Sequence, residues 1–193
     1  MAEIYVVSGP SGSGKGTILG QAVPKLGNVY VSVSMTTRKP REGEVDGVSY
    51  HFVSRDEFLK NVRENGMLEY AEYCGEYYGT PKAPVIRAVE EGKDVVLEID
   101  TAGMKQVRDK LPHCVTVFIA PPSLEELEKR LRGRDPNEKK IDQRLAKARQ
   151  EMTLAPDYDH TVVNDGLEAA VDNFCRIVSS GREKTEGRTS EDR

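Results

Sequence analysis

Apolar residues in this chain fall into short unbroken runs, separated by longer stretches of mixed, helix-compatible sequence. Ile4–Val7 runs into Ser8, Val29–Ser34 reads as a second strand, Val95-Val96-Leu97-Glu98-Ile99-Asp100 as a third and Val115–Ile119 as a fourth; Thr161–Val163 is a short last strand. Unbroken apolar runs, as opposed to alternating ones, mark strands covered on both faces, the condition of a parallel sheet. The intervening segments 82–91, 102–111, 123–132, 141–155 and 167–179 predict helices, and a short helix after the first strand is expected to end near Pro24. Ser123-x-x-Glu126 reads as a capping box, and Gly92 is placed to end the helix before it. Strand and helix in alternation predict an α/β, three-layer fold with a parallel sheet flanked by helices. Ligands of such sheets bind beyond the carboxyl ends of the strands, where Asp100 would lie.

Residues 35–81 break this rhythm. Val48–Phe52, Met67–Cys74 and Tyr77–Tyr78 predict short antiparallel strands around a helix that starts at a second capping box, Ser54-x-x-Glu57. Five of the eight tyrosines lie between Tyr50 and Tyr78, which gives this insertion much of the chain's hydroxyl-tipped aromatic surface. From Ser180 to Arg193 there is no apolar residue, and a disordered tail over 181–193 is expected.

Composition narrows the class. The 193 residues suffice for one domain with a sizeable core, and 37% hydrophobic against 31% charged residues suits a globular protein. No apolar run is long enough to span a bilayer, and the first strand begins too early to leave room for a signal peptide. Cys74, Cys114 and Cys175 are odd in number and lack a C-x-x-C pairing, so reduced, partly buried thiols in a cytoplasmic protein are expected. The three histidines share no metal-ligand spacing. A net charge of −4 argues against a general nucleic-acid surface. Basic residues cluster only locally, around Arg38–Arg41 and Lys129–Arg134.

The chemistry begins where the first strand ends. Gly9-Pro10-Ser11-Gly12-Ser13-Gly14-Lys15-Gly16-Thr17 follows a buried strand and leads into a helix, the context of a phosphate-binding loop. Glycines let successive N–H groups turn inward as an anion nest, the helix adds its positive end, and Lys15 reaches the β- and γ-phosphates of ATP as a mobile charge. The strict pattern wants Ser or Thr directly after the lysine as a magnesium ligand, but Gly16 stands there and Thr17 follows. Mg2+ is therefore expected to be held mainly by phosphates and water, with Thr17 as the one candidate protein ligand.

The loop identifies the phosphate donor only. Ser34-Met35-Thr36-Thr37-Arg38-Lys39-Pro40-Arg41 sets hydroxyls and two arginine forks at a strand end, a pattern that suits a phosphorylated acceptor; in isolation a solvated basic loop is the better reading of it. The wider context is specific. Ser34 to Arg41, Gly43-Glu44 and Tyr50-His51-Phe52 resemble the GMP-binding segment of guanylate kinases. Gly66-Met67-Leu68-Glu69-Tyr70-Ala71, Tyr77-Tyr78-Gly79-Thr80, Leu97-Glu98-Ile99-Asp100, Arg130-Leu131-x-Gly133-Arg134 and Arg144-Leu145 continue the resemblance, in order, from residue 1 to about 180. Met35 and Ala102 depart from the family pattern, which has a small polar residue and a glutamine at these places.

This resemblance implies a nucleoside-monophosphate kinase P-loop fold, with a core of 1–34, 82–128 and 158–180, a small α+β GMP-binding insertion at 35–81 and a helical lid at 129–157. It implies that Arg38, Arg41, Tyr50 and Tyr78 hold the GMP phosphate and that Glu69 and Asp100 accept from N1–H and the 2-amino group of guanine. Ser34 and Thr80 complete the base contacts. Gly9 through Thr17 hold ATP, with Asn164 near adenine, and Lys15, Arg38, Arg41, Arg130, Arg134 and Arg144 neutralise the transferring phosphoryl group. Asp135-Pro136-Asn137 is a candidate hinge turn. The implied activity is ATP-dependent phosphorylation of GMP, and of dGMP, in purine nucleotide metabolism and GMP recycling. Two rivals stand beside it. A non-catalytic, protein-binding relative would have a degraded phosphate loop, whereas Lys15 is present. Another small P-loop kinase, acting on shikimate or adenylate, would account for the loop but not for Arg38, Arg41, Glu69 and Tyr78.

Overall fold

The computed structural model describes residues 2–134 and 138–191, so the expected hinge turn Asp135-Pro136-Asn137 lies outside it. Strands β1 (Ile4–Ser8), β2 (Val29–Val31), β7 (Asp94–Glu98), β8 (Val115–Ala120) and β9 (His160–Val163) form one sheet in the order β2-β7-β1-β8-β9. Every pairing in it is parallel. Two-residue periodicity divides the strands between two cores. Tyr5, Val7, Val96, Val117 and Ile119 pack with helices α1 (Lys15–Leu26) and α7 (Leu167–Glu191) on one face. Val6, Val95, Leu97 and Phe118 pack on the other with α3 (Lys82–Glu90) and α4 (Thr101–Lys110). Each such fully buried side chain contributes about 1.5–3 kcal/mol. These two cores are why the strands read as unbroken apolar runs.

Residues 35–81 form a second, four-stranded sheet in the order β4-β3-β6-β5, from β3 (Met35–Thr36), β4 (His51–Phe52), β5 (Met67–Tyr73) and β6 (Glu76–Pro81), with α2 (Arg55–Arg63) against it. β5 and β6 make a hairpin whose turn residues Cys74 and Gly75 both have positive φ, +53° and +81°, the geometry that suits the strand twist. Cys74 is consequently exposed, contrary to the expected partly buried thiol. Three further expectations change. The strand expected at Val48–Phe52 is reduced to His51–Phe52 and pairs parallel, not antiparallel, with β3. The strand expected to reach Ser34 stops at Val31, because the chain leaves the parallel sheet to enter the second one. Helix α1 runs two residues past Pro24.

Helices α5 (Leu124–Arg134) and α6 (Glu138–Met152) bury Leu127, Leu131, Ile141, Leu145 and Ala148 in a core of their own. A 3-10 turn, Ala155–Asp157, returns the chain to β9. The expected disordered tail is helical to Glu191 instead. Arg182 ties its start to the body through Asp94 Oδ2 at 2.6 Å and the carbonyls of Leu26 and Gly27, and the residues beyond include several good helix formers and no proline.

Candidate active site

The loop between β1 and α1 lies at the carboxyl end of the parallel sheet. Gly9 has φ +147°, and a Cβ there would collide with the Ile119 carbonyl of β8; Gly14 has φ +93° and would place a Cβ on the Asn164 amide. Both positions therefore require glycine. Helix α1 starts with neither a capping side chain nor an acidic residue in its first turn, the condition in which a helix N-terminus is open to an anion. Lys15 Nζ donates to Gly9 O at 2.7 Å and Pro10 O at 3.3 Å, folding the side chain over the loop. Burial lowers the Lys15 pKa from its ordinary value, opposed by the carboxylates of Glu98, Glu151 and Asp100.

Asn164, expected near adenine, touches the glycine loop itself. Its amide donates to Ser13 O at 2.7 Å and the residue is buried, so it buttresses the loop from below and its side-chain donor is already engaged with the protein. The end of β9 thereby locks the loop from the opposite side of β8.

Glu98, not singled out from the sequence, ends β7 beside this helix start. A Cβ on Gly16 would come within 3.7 Å of its Oε2, and burial raises the Glu98 pKa while Lys15 lowers it. The spacing of two carboxylates, Glu98 and Asp100, at the end of one strand was the available signal. Glu98, Asp100 and the Thr17 hydroxyl are all hard oxygen donors, chemistry that fits magnesium better than a softer metal. Among the described residues no group of three or more His, Cys, Asp or Glu is placed to hold a metal ion.

Helix α6 presents Arg144, Lys147 and Glu151, spaced i, i+3 and i+7, towards this cleft. Arg144 Nη2 donates to Ser11 Oγ at 2.7 Å, and Lys147 Nζ lies 4.0 Å from Asp100 Oδ2, 3.6 Å from Glu151 Oε1 and over the Tyr73 ring. Arg130 reaches from α5 to the Asn164 carbonyl at 3.0 Å while paired with Glu126. Arg134 lies in α5, but its side chain is outside the described part of the structure.

The second sheet carries the other half of the expected set. Arg38 forms a bidentate pair with Glu44 at 2.9 and 2.8 Å, and Glu44 also accepts from the Arg41 N–H at 2.7 Å. The Arg38 guanidinium lies 5.5 Å from the Tyr50 ring centroid, and Tyr50 meets Tyr78 edge to face at 6.2 Å. Hydrogen bonds from Arg38 and Arg41 hold the Glu44 carboxyl down to about 2, so it stays anionic and keeps the guanidinium in a fixed orientation. Arg38, Tyr50 and Tyr78 thus form one cationic, hydroxyl-bearing cluster, to which the Arg41 backbone is tied through Glu44. Glu44, part of the Gly43-Glu44 motif, takes its role as a brace only from this geometry.

Glu69 sits nearer the core, whereas Asp100 is exposed. Glu69 is buried and accepts from the Thr80 hydroxyl at 2.7 Å. Burial raises its pKa to about 7, with Asp100 adding to the rise and Thr80 opposing it. Asp100 caps α4, its Oδ1 accepting from Gly103 N–H at 2.8 Å. Ser34 lies at the junction of the two sheets, its carbonyl accepting from His51 N–H at 2.8 Å. The charges of Asp100 and Glu98 both act on Lys15 of the glycine loop, while Asp100 acts on Glu69 and Glu98 on Tyr50 of the second sheet, so the two halves border one another, an arrangement suited to two phosphorylated ligands.

Comparison with known proteins agrees with this geometry. The guanylate kinase family model matches residues 1–181. The guanylate kinase of Thermus thermophilus is 49% identical over 191 residues, 98% of this chain and 86% of the relative; that of Lactobacillus johnsonii is 50% identical over 180 residues, 92% and 88%. The crystal structure of guanylate kinase from Anaplasma phagocytophilum superposes with a TM-score of 0.75 at 33% identity, covering 93% of this chain and 86% of that one. The chain belongs to the guanylate kinase family.

Proposed function

We infer that this protein carries out ATP-dependent phosphorylation of GMP to GDP, with the glycine loop as the ATP site and the second sheet as the GMP site. A GMP phosphate oxygen attacks the γ-phosphorus, the bond to the β–γ bridging oxygen breaks, and that oxygen leaves on ADP. The attacking oxygen is already largely anionic, so no general base is required. Catalysis is then positioning and charge neutralisation. Lys15 serves the β- and γ-phosphates and Arg144, already beside the loop at Ser11, the transferring group; Arg130 and Arg134 take the same role from α5. Arg38, Arg41, Tyr50 and Tyr78 hold the acceptor phosphate. Asp100 and Glu69 read guanine, aided by Ser34 and Thr80. Magnesium, held by phosphates and water with Thr17 and Glu98 alongside, would supply further charge neutralisation. The single observation that carries the reading is the pairing of an intact phosphate loop with a buried Glu69 and the Arg38–Tyr50–Tyr78 cluster in one chain. The division into core, insertion at 35–81 and lid at 129–157, the use of dGMP and a cytoplasmic location belong to the same reading. Among the described residues no helix is long and apolar enough to cross a membrane.

The test is 31P NMR of a mixture of ATP, GMP and magnesium chloride. ADP and GDP should accumulate in equal amounts. Inorganic phosphate released in place of GDP would contradict the reading.

Glu69 also makes the reaction pH-dependent. Guanine's donors need an ionised acceptor, and in the free protein this carboxyl titrates near pH 7. KM for GMP should therefore rise as pH falls below 7, by up to about tenfold per unit, while KM for ATP changes less. Stability runs the opposite way. The folded pKa lies above the ordinary 4.5, so the favourable contribution of the protonated carboxyl is complete below pH 4.5 and is lost as pH rises through 7. In the ligand-free protein Glu69→Gln should remove this loss, up to about 3 kcal/mol, measured as Tm against pH for both proteins. A KM for GMP that is flat between pH 5.5 and 8 would contradict the assignment of Glu69.

A further inference from the structure

We propose that Gly103 is a positioning residue that sets Glu69 against Asp100, and that base selection depends on the absence of a side chain there. The inference rests on the reading of Glu69 and Asp100 as the guanine acceptors. Gly103 touches both. Its N–H donates to Asp100 Oδ1 at 2.8 Å, and a Cβ built on it would lie 2.8 Å from Glu69 Oε2, 3.2 Å from Cδ and 3.3 Å from Cγ. The residue is buried in the first turn of α4. A methyl group there has no room unless the Glu69 carboxylate moves.

Glu69 has little freedom to move by itself, because the strand that carries it is clamped to the same helix. β5 is an edge strand of the second sheet, with outward backbone groups that need partners. Helix α4 supplies them from Gln106 and Lys110, which share one stripe with Gly103 at i, i+3 and i+7. Gln106 donates to Tyr70 O at 3.0 Å and accepts from Tyr70 N–H at 3.3 Å. Lys110 Nζ donates to Met67 O at 3.2 Å and Leu68 O at 2.8 Å. Between Met67 and Glu69 the β5–β6 register also shifts. An irregularity of this kind re-aims the following side chain, here towards Gly103. Three features of the chain thus converge on one spacing: the helix cap at Asp100, the bulged edge strand and the bare α-carbon between them.

The experiment compares Gly103→Ala with Gly20→Ala, which lies in α1 with nothing within 4 Å of a Cβ. Alanine is the better helix former at both positions, so neither change should lower helix stability for local reasons. Gly103→Ala should raise KM for GMP by about 10–10²-fold, the cost of a misplaced ligand contact, and lower the GMP/AMP ratio of kcat/KM, with KM for ATP unchanged. Gly20→Ala should match the unmutated protein. Glu69→Ala and the double variant Glu69→Ala/Gly103→Ala should then be alike, because the added methyl no longer has a carboxylate to displace. If Gly103→Ala lowers Tm, Glu69→Ala in the same chain should restore it. A KM for GMP within twofold of the unmutated value in folded Gly103→Ala overturns the inference, as does a Gly103→Ala effect of full size in the Glu69→Ala background or a lowered Tm that Glu69→Ala leaves lowered. Glu69→Ala with unchanged GMP use would overturn the guanine-site reading itself, a distinguishable failure.

Discussion

Replacing Lys15 by alanine is expected to lower kcat by about 10²–10³, the usual cost of losing one charge-stabilising donor at a transferring group, and to leave the fold intact. The expectation follows from where the ammonium sits. Nζ rests on the carbonyls of Gly9 and Pro10, at the mouth of a loop whose shape is maintained by glycine dihedrals, by Ile119 and by Asn164, none of which needs the lysine. Burial already depresses its pKa, so its charge is held there at a cost that function explains and stability does not. Steady-state kinetics should show the loss in kcat with KM for GMP nearly unchanged, and circular dichroism should show Tm equal to or above that of the unmutated protein. Turnover within a few-fold of normal would mean that phosphate transfer does not depend on this loop.

Glu69→Ala should cut kcat/KM for GMP by about 10–10²-fold, the effect of removing one charge-assisted hydrogen bond, and should act on the base while sparing the phosphate. Arg38, Tyr50 and Tyr78 form a separate cluster, with Glu44 bracing Arg38 and the Arg41 backbone, so the phosphate grip survives the substitution. Competition by inorganic phosphate or ribose 5-phosphate for the acceptor site should accordingly be unchanged. A variant that loses phosphate affinity as strongly as GMP affinity would place Glu69 in a structural role.

The parallel sheet, its two covering layers and the phosphate loop were legible in the sequence because each is a local pattern: unbroken β-branched runs, helix caps such as Ser123, and glycines at fixed spacing. The serine caps at Ser54 and Ser123 accept from Glu57 and Glu126 as their spacing required. Non-local effects were not legible. The parallel pairing of β4 with β3 depends on a chain reversal spread over residues 37–50, which carries no strand periodicity. The Asn164 buttress links residues 151 positions apart. Gly103 acquires meaning only once α4 and β5 are brought together, because a glycine that makes room for a carboxylate leaves the same mark in the sequence as one that makes a turn. Helical continuation through Glu191 was hidden for a different reason. Charged residues without an apolar stripe satisfy the composition of a disordered tail and of a solvated helix alike.

The most direct measurement is the ratio of kcat/KM for GMP and AMP in the unmutated protein. Adenine has an unprotonated N1 and no 2-amino group, so an AMP complex would desolvate Glu69 or Asp100 with nothing to bond. Sites built in this way reject the deficient analogue by about 10⁴–10⁵. A ratio of that size is the result this account predicts, and comparable values for the two nucleotides would contradict it.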